Sequence, residues 1–255
     1  MRLETLNFNN LMEAFSCVRR VPIWKDLSTE IEQSVFYLQH AMQNGYKGKI
    51  AFENERAVGH VFYAPLSKAP VPLASDHSLI FIRCLYVDPL FRNLGIGSSL
   101  LAAMKSDSGN YDGALLTASQ KDKDWHYSMF EKVGFKTIGK ENGLIHMFLP
   151  IRKEIIELRI VSKKQKTQRD KVQVTLFYDD FCPMRNQLVS MIRKAAGMFG
   201  DSIELREIDL TPETAKLYGT GASFMIDDER SFAVVANMDE IVGRIESALE
   251  RKGLQ

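Results

Sequence analysis

Cys84-Leu85-Tyr86-Val87-Asp88-Pro89-Leu90-Phe91-Arg92-Asn93-Leu94-Gly95-Ile96-Gly97-Ser98-Ser99-Leu100-Leu101 decides the fold of this chain. A buried-type strand runs into a turn, and the turn into a helix that opens on Gly-x-Gly. The first turn of a helix leaves several N–H groups without an intrahelical acceptor and carries a partial positive charge, which makes it a natural seat for a phosphate. Glycines at 95 and 97 remove Cβ atoms from the anion's path, and Arg92 adds a full charge at the rim. A dinucleotide fingerprint would need a third glycine where Leu100 stands and an acid about twenty residues on, where Thr117 stands. A nucleoside-triphosphate loop would need a lysine before Ser98, and none is there.

Working outward, periodicity predicts a strand over 2–8, helices over 11–20 and 27–43, and strands over 48–53, 57–64 and 79–87. Asp26 and Ser28 are candidate caps for the second helix, and Asn54-Glu55 fits a hairpin turn. The helix after the glycines carries Ile96, Leu100, Leu101 and Met104 on one face. A strand over 111–117, a helix over 124–133 and two strands around Asn142-Gly143 complete the first 150 residues. Residues 151–171 hold Lys163, Lys164, Lys166, Arg169 and Lys171 with no interleaved aromatics, and read as a solvated linker. Residues 172–255 follow the order β-α-β-α-β-β-α, enough for a second, smaller α/β domain.

The 255 residues are 45% apolar and 25% charged, which excludes collagen-like, low-complexity and disordered classes. A net charge of +1 argues against a nucleic-acid partner, although it hides a segregation: about +1 in 1–150, +5 in 151–171 and −5 in 172–255. The absence of a long apolar run argues against a membrane partner and leads to a cytoplasmic expectation. Three separated cysteines and five histidines without ligand spacing predict neither a disulfide framework nor a metal site.

Val87-x-Pro89-x-x-Arg92-x-x-Gly95-x-Gly97 followed by Leu100-Leu101 resembles motif A of the GNAT superfamily of N-acetyltransferases. Phe130-Glu131-Lys132-Val133-Gly134-Phe135, starting 33 residues past Gly97, resembles the second motif of that family. The resemblance implies a GNAT mixed sheet with flanking helices over 1–150 and acetyl-CoA as cosubstrate. It implies that main-chain groups of Leu85, Tyr86 and Val87 pair with the pantetheine arm. Arg92, Asn93, Leu94, Gly95, Ile96, Gly97 and Ser98 would then hold the phosphates, with Phe130 beside the cofactor. The implied reaction is acetyl transfer to a primary amine, on a small molecule or a peptide.

Such a reaction needs a neutral amine, a donor for the tetrahedral oxyanion and an acid for the leaving thiolate. An alkylammonium of pKa ~10.4 costs about 4 to 5 kcal/mol to deprotonate at pH 7. The tyrosine that often serves as acid in the family's second motif is Phe130 here, and a phenyl ring donates no proton. Tyr127 and His126 are the substitutes within one helical turn. The asparagine often found before this helix is also missing from Gln120-Lys121-Asp122-Lys123. Glu30, Glu32, Tyr37, Asp76 and His77 are candidate bases, and Trp24 a candidate pocket wall. Binding or sensing of an acyl-CoA without catalysis is the alternative.

In 172–255, Cys182-Pro183-Met184-Arg185 at a helix start resembles a degenerate thioredoxin-type domain, and the two-domain arrangement resembles the YoaP-like proteins of bacteria. Arg185 replaces the second cysteine of a CxxC pair, and Ala222 stands where the cis-proline is expected. Cys182 is the redox candidate, as a monothiol of lowered pKa.

Overall fold

The computed structural model describes residues 1–18, 27–120, 125–141, 143–161, 170–219, 223–227, 229–231 and 237–254. The chain forms two compact units. One comprises Met1–Val21, Leu38–Ala69 and Leu73–Arg159; the other comprises Pro22–Tyr37, Pro70–Pro72 and Ile160–Gln255. The basic stretch 151–171 is thus divided at Arg159, and its residues 162–169, like Asp26 and Trp24, lie outside the described residues.

The first unit holds β1 (Arg2–Thr5), β2 (Lys47–Glu53), β3 (Arg56–Pro65), β5 (Leu79–Val87), β6 (Gly113–Ser119), β7 (Lys136–Glu141) and β8 (Leu144–Pro150) in one seven-stranded sheet. Their order is β1-β2-β3-β5-β6-β8-β7. A short strand β4 (Leu73–Ala74) pairs separately with β9 (Arg159–Ile160). Helix α1 spans Ser28–Gln43, α2 Ile96–Asp107 and α3 Tyr127–Glu131. The mixed α/β class is the expected one. Asn54 and Glu55 take φ of +47° and +59° at the β2–β3 turn, the mirror-image conformation that matches strand twist.

Ile96, Leu100, Leu101 and Met104 of α2 are all buried, in one core with Ile80, Ile82, Ala114, Leu116 and Phe130. Burial of each large side chain stabilises the fold by roughly 1.5–3 kcal/mol. The helix expected over 11–20 is a single 3-10 turn, Met12–Phe15, among its described residues. Asparagine side chains compete for the backbone there: Asn10 Oδ1 accepts from Asn7 N at 2.8 Å, and Asn7 Oδ1 from Asn9 N at 2.9 Å. The helix expected over 124–133 is only five residues long, because His126 caps it and the chain closes at Phe135 N→Phe130 O, 3.1 Å.

The second unit has β10 (Val172–Tyr178), β11 (Ile203–Asp209), β12 (Phe224–Ile226) and β13 (Glu229–Ser231) in the order β11-β10-β12-β13. Helices α4 (Pro183–Gly197), α5 (Pro212–Tyr218) and α6 (Met238–Lys252) follow the expected order. Val172, Val174 and Leu176 pack with α4 and α6, whereas Phe177 joins Ile208, Leu210 and Ala215 in a second cluster. The last strand pairs with β12 from Phe224↔Ser231 to Ile226↔Glu229, and 232–236 lie outside the described residues.

Candidate active site

Strands β5 and β6 are parallel, so the segments after both leave from the same edge of the sheet, where ligands of open α/β sheets gather. Pairing between them runs only from Leu79 to Phe81 against Gly113 to Leu115. Beyond that point β5 continues to Val87 and β6 to Ser119 without a shared ladder, so the two strands part. The cause lies in β5. Tyr63 of β3 faces Ile82 and Phe62 faces Cys84, so the register skips Arg83. Such a bulge bends its strand and increases its twist. The residues before the skip are buried and Arg83 to Val87 are half-buried.

At the end of β5, Asp88 is 3% exposed, and its carboxylate accepts from Leu90 N at 3.0 Å and lies 3.3 Å from Arg56 Nη2. This anchors the 3-10 turn Pro89–Phe91. Arg92 Nε donates to Val87 O at 3.2 Å, which ties the loop back to the strand. Asn93 and Gly95 take φ of +64° and +78°, and Gly95 forms the N-cap of α2. At Gly95 the backbone requires glycine. At Gly97 it does not: φ there is not positive, and an added Cβ would meet only Val87 Cγ2, at 3.7 Å. The missing side chain at 97 is therefore not a demand of the fold, and it leaves the first N–H groups of α2 open to an approaching group.

The sequence profile of the acetyltransferase (GNAT) domain matches residues 44–137. Those 94 residues are thus similar to a GNAT acetyltransferase domain. No curated protein sequence matches the chain. Among solved structures, it is similar to the PaiA N-acetyltransferase of Thermoplasma acidophilum in complex with coenzyme A. The identity is 15% over 59% of this chain and 99% of that one, with a TM-score of 0.42. The ribosomal-protein-S18-alanine N-acetyltransferase of Escherichia coli has 15% identity over 59% and 93%, with a TM-score of 0.43. An aminoglycoside 6′-acetyltransferase type Ii has 20% identity over 59% and 97%, with a TM-score of 0.45.

Within the matched residues, those of the second motif have distinct surroundings. Phe130 is 2% exposed, edge-on to Trp125 and Phe135 at 5.0 and 5.8 Å. Its ring is committed to the core and offers no surface to a cofactor, which corrects its expected place beside acetyl-CoA. His126 is the N-cap of α3, its Nδ1 accepting from Ser128 N at 3.3 Å and lying 2.8 Å from Ser128 Oγ. Tyr127 is half-buried, its ring centroid 4.6 Å from that of His126. Both follow the end of β6, on the same sheet edge as the glycine loop.

Asp76 and His77 precede β5, at the opposite end of a nine-residue strand about 30 Å long. There Asp76 pairs with Arg159 at 2.7 Å, and His77 Nδ1 lies 3.6 Å from Asp112 Oδ2. They are held away from the glycine loop, which removes them as base candidates. Glu30, Glu32 and Tyr37 belong to the part of α1 that clusters with the second unit. In that unit Tyr37 packs edge-on against Phe181 at 6.1 Å, and Ser34 accepts from Asn186 Nδ2 at 3.3 Å.

Sequence reasoning passed over a cross-strand cluster on β3 and β5. His60 Nε2 lies 3.4 Å from Cys84 Sγ, and the His60 ring stacks on Phe62 and Tyr86 with centroids at 4.7 and 5.5 Å. Burial lowers His60 to a pKa of about 3. The signal for the cluster, alternation of His60 and Phe62 opposite Tyr86 and Cys84, depends on the bulge at Arg83 and was invisible without it.

In the second unit, Cys182 is the N-cap of α4, as expected. Burial nonetheless pushes its thiol pKa up, outweighing the backbone N–H groups of Arg185 and Met184 and the Arg185 charge. The expected lowered pKa is thus reversed, and Cys182 rests as a thiol. Arg185 Nη1 lies 3.8 Å from the buried carboxylate of Asp179. Among the described residues there is no cis peptide bond, and Ala222 lies outside them. Also among the described residues, no His/Cys/Asp/Glu group could hold a metal, and no helix is long and apolar enough to cross a membrane.

Proposed function

We propose that this chain transfers the acetyl group of acetyl-CoA to a primary amine on a small molecule or peptide, using the parted edge of β5 and the loop at the start of α2. The observation that carries the reading is Gly97: neither backbone conformation nor packing demands glycine there, whereas a phosphate drawn to the N–H groups of Ile96, Gly97 and Ser98 does. Arg92, Asn93, Leu94 and Gly95 complete that seat, and Leu85 to Val87 present the strand edge to the pantetheine arm. Acetyl-CoA supplies an activated thioester. Main-chain N–H groups of β5 stabilise the oxyanion as the neutral amine attacks, Tyr127 protonates the departing sulfur, and the proton shed by the new amide nitrogen goes to water, from which Tyr127 is reprotonated.

A screen of amines with detection of released thiol tests this reading. Turnover with at least one amine class supports it, and coenzyme A binding without thiol release across the panel would reduce the chain to an acyl-CoA sensor. The burial of Phe130 favours that second reading, since the family's usual acid position is taken by a core residue. The second unit we read as a degenerate thioredoxin-type domain, supported by its element order and by Cys182 at the start of α4. Its half-buried cysteine, with a raised thiol pKa, favours packing or recognition over dithiol chemistry.

A further inference from the structure

We propose that Cys84 is an acyl acceptor: without an amine present, its thiol takes the acetyl group from the thioester, giving an S-acetyl enzyme and coenzyme A thiol. The inference rests on the reading of residues 85–98 as the acetyl-CoA seat. The phosphates lie beyond the end of β5, so the arm meets Val87, Tyr86 and Leu85 in that order. The residue next in line for its reactive end is Cys84, about 3.3 Å further along the strand.

The bulge determines which way Cys84 faces. Tyr63 and Phe62 are neighbours on β3 and point to opposite faces, and they stand opposite Ile82 and Cys84. Ile82 is in the α2 core, so Cys84 is turned to the other face, where His60 and Tyr86 pair across the strands. A regular strand would have put Cys84 on the same side as Ile82. Cys84 is half-buried, unlike Cys17, which is buried.

His60 supplies the independent sign that this position is built for more than packing. It is 1% exposed, and its Nδ1 is enclosed without a hydrogen-bond partner. An orphaned buried polar atom costs about 1–3 kcal/mol, which an apolar ring at this place would avoid. What the imidazole gains is its other nitrogen, held by the two stacked rings 3.4 Å from Cys84 Sγ.

As the bond from Sγ to the acetyl carbon forms, the Sγ proton passes to His60 Nε2 and from there to the departing coenzyme sulfur, while the carbon–sulfur bond of the original thioester breaks. One thiol and one thioester enter, one of each leave, and nothing is oxidised or reduced. Burial disfavours the imidazolium, so His60 relays the proton without storing it, and the exchange is slow.

The test is to incubate the full-length protein with acetyl-CoA alone, measure its intact mass and map any adduct, with calorimetry of coenzyme A binding on the same sample. The expected result is one acetyl group on Cys84, removed by neutral hydroxylamine, absent from Cys84→Ala and retained in Cys182→Ala. His60→Phe should slow its appearance by about tenfold or more, while coenzyme A binding shows that the variant is folded. Coenzyme A binding with no acetyl on Cys84, or with acetyl only on lysine, overturns the proposal and leaves the cofactor seat standing. Failure to bind coenzyme A at all removes the seat, and this inference falls with it.

Discussion

Each unit runs a strand into a helix, and the two junctions differ in a way that separates a binding site from a packed one. Between β5 and α2 the chain spends eight residues, Asp88 to Gly95, turned by a 3-10 segment and two positive-φ residues. Arg92 to Gly95 and Ser98 are exposed, and no side chain caps the helix. Between β10 and α4 it spends four, Asp179 to Cys182, with Asp180 at φ +49° and Pro183 opening the helix. Phe181 and Asp179 are buried there, and burial holds the Cys182 thiol in its protonated form. A helix N-terminus offers partial positive charge in both places. Only the first leaves room for a ligand to use it.

The largest expected effect that could break this contrast is at Gly97. Gly97→Glu places a carboxylate in the phosphate seat, and because an added Cβ meets only Val87, the fold survives. Coenzyme A affinity should fall on the order of 100-fold or more by calorimetry, with an unchanged melting temperature; retained affinity would move the seat elsewhere. Tyr127→Phe comes next. If Tyr127 protonates the leaving thiolate, kcat on the best amine drops about 100-fold with KM little changed. An unaltered kcat would assign its half-buried ring to packing.

The second junction is sharpened by alkylation rates. Cys182 should react with iodoacetamide about tenfold or more slowly than an ordinary exposed thiol at pH 7, because burial raises its pKa. Preferential labelling of Cys182 over Cys84 would reverse the assignment of the two cysteines. The smallest effect is in stability. His60 titrates near 6.5 unfolded and about 3 folded, so between these values the unfolded chain binds more protons and stability falls as pH falls. Lowering pH from 7 to 5 should cost about 2 kcal/mol through His60 alone, read as a lower urea midpoint. The buried His146 shifts in the same direction. His60→Phe should flatten the slope, and an unchanged slope would place the titrating groups elsewhere.

Much of the first junction was legible because its signals are local. Positive-φ demands call for Gly95, and the apolar period of Ile96, Leu100, Leu101 and Met104 marks the buried face of α2. The element order of the second unit was legible too, although the burial of Gln173 and Thr175 on its first strand was not. What escaped notice depends on register or burial. The skip at Arg83 has no glycine or proline to announce it, yet it parts β5 from β6 and turns Cys84 toward His60. The sequence shows an aromatic at 130 and a cysteine at 182 without showing that the core encloses Phe130 or that burial outweighs the helix dipole at Cys182.

The most direct measurement is calorimetric titration of coenzyme A into the full-length chain beside the Gly97→Glu variant. Saturable binding at one site per chain, lost in the variant, is the result required by a phosphate seat at the start of α2. No binding by the unaltered chain, or equal binding by both, would contradict it.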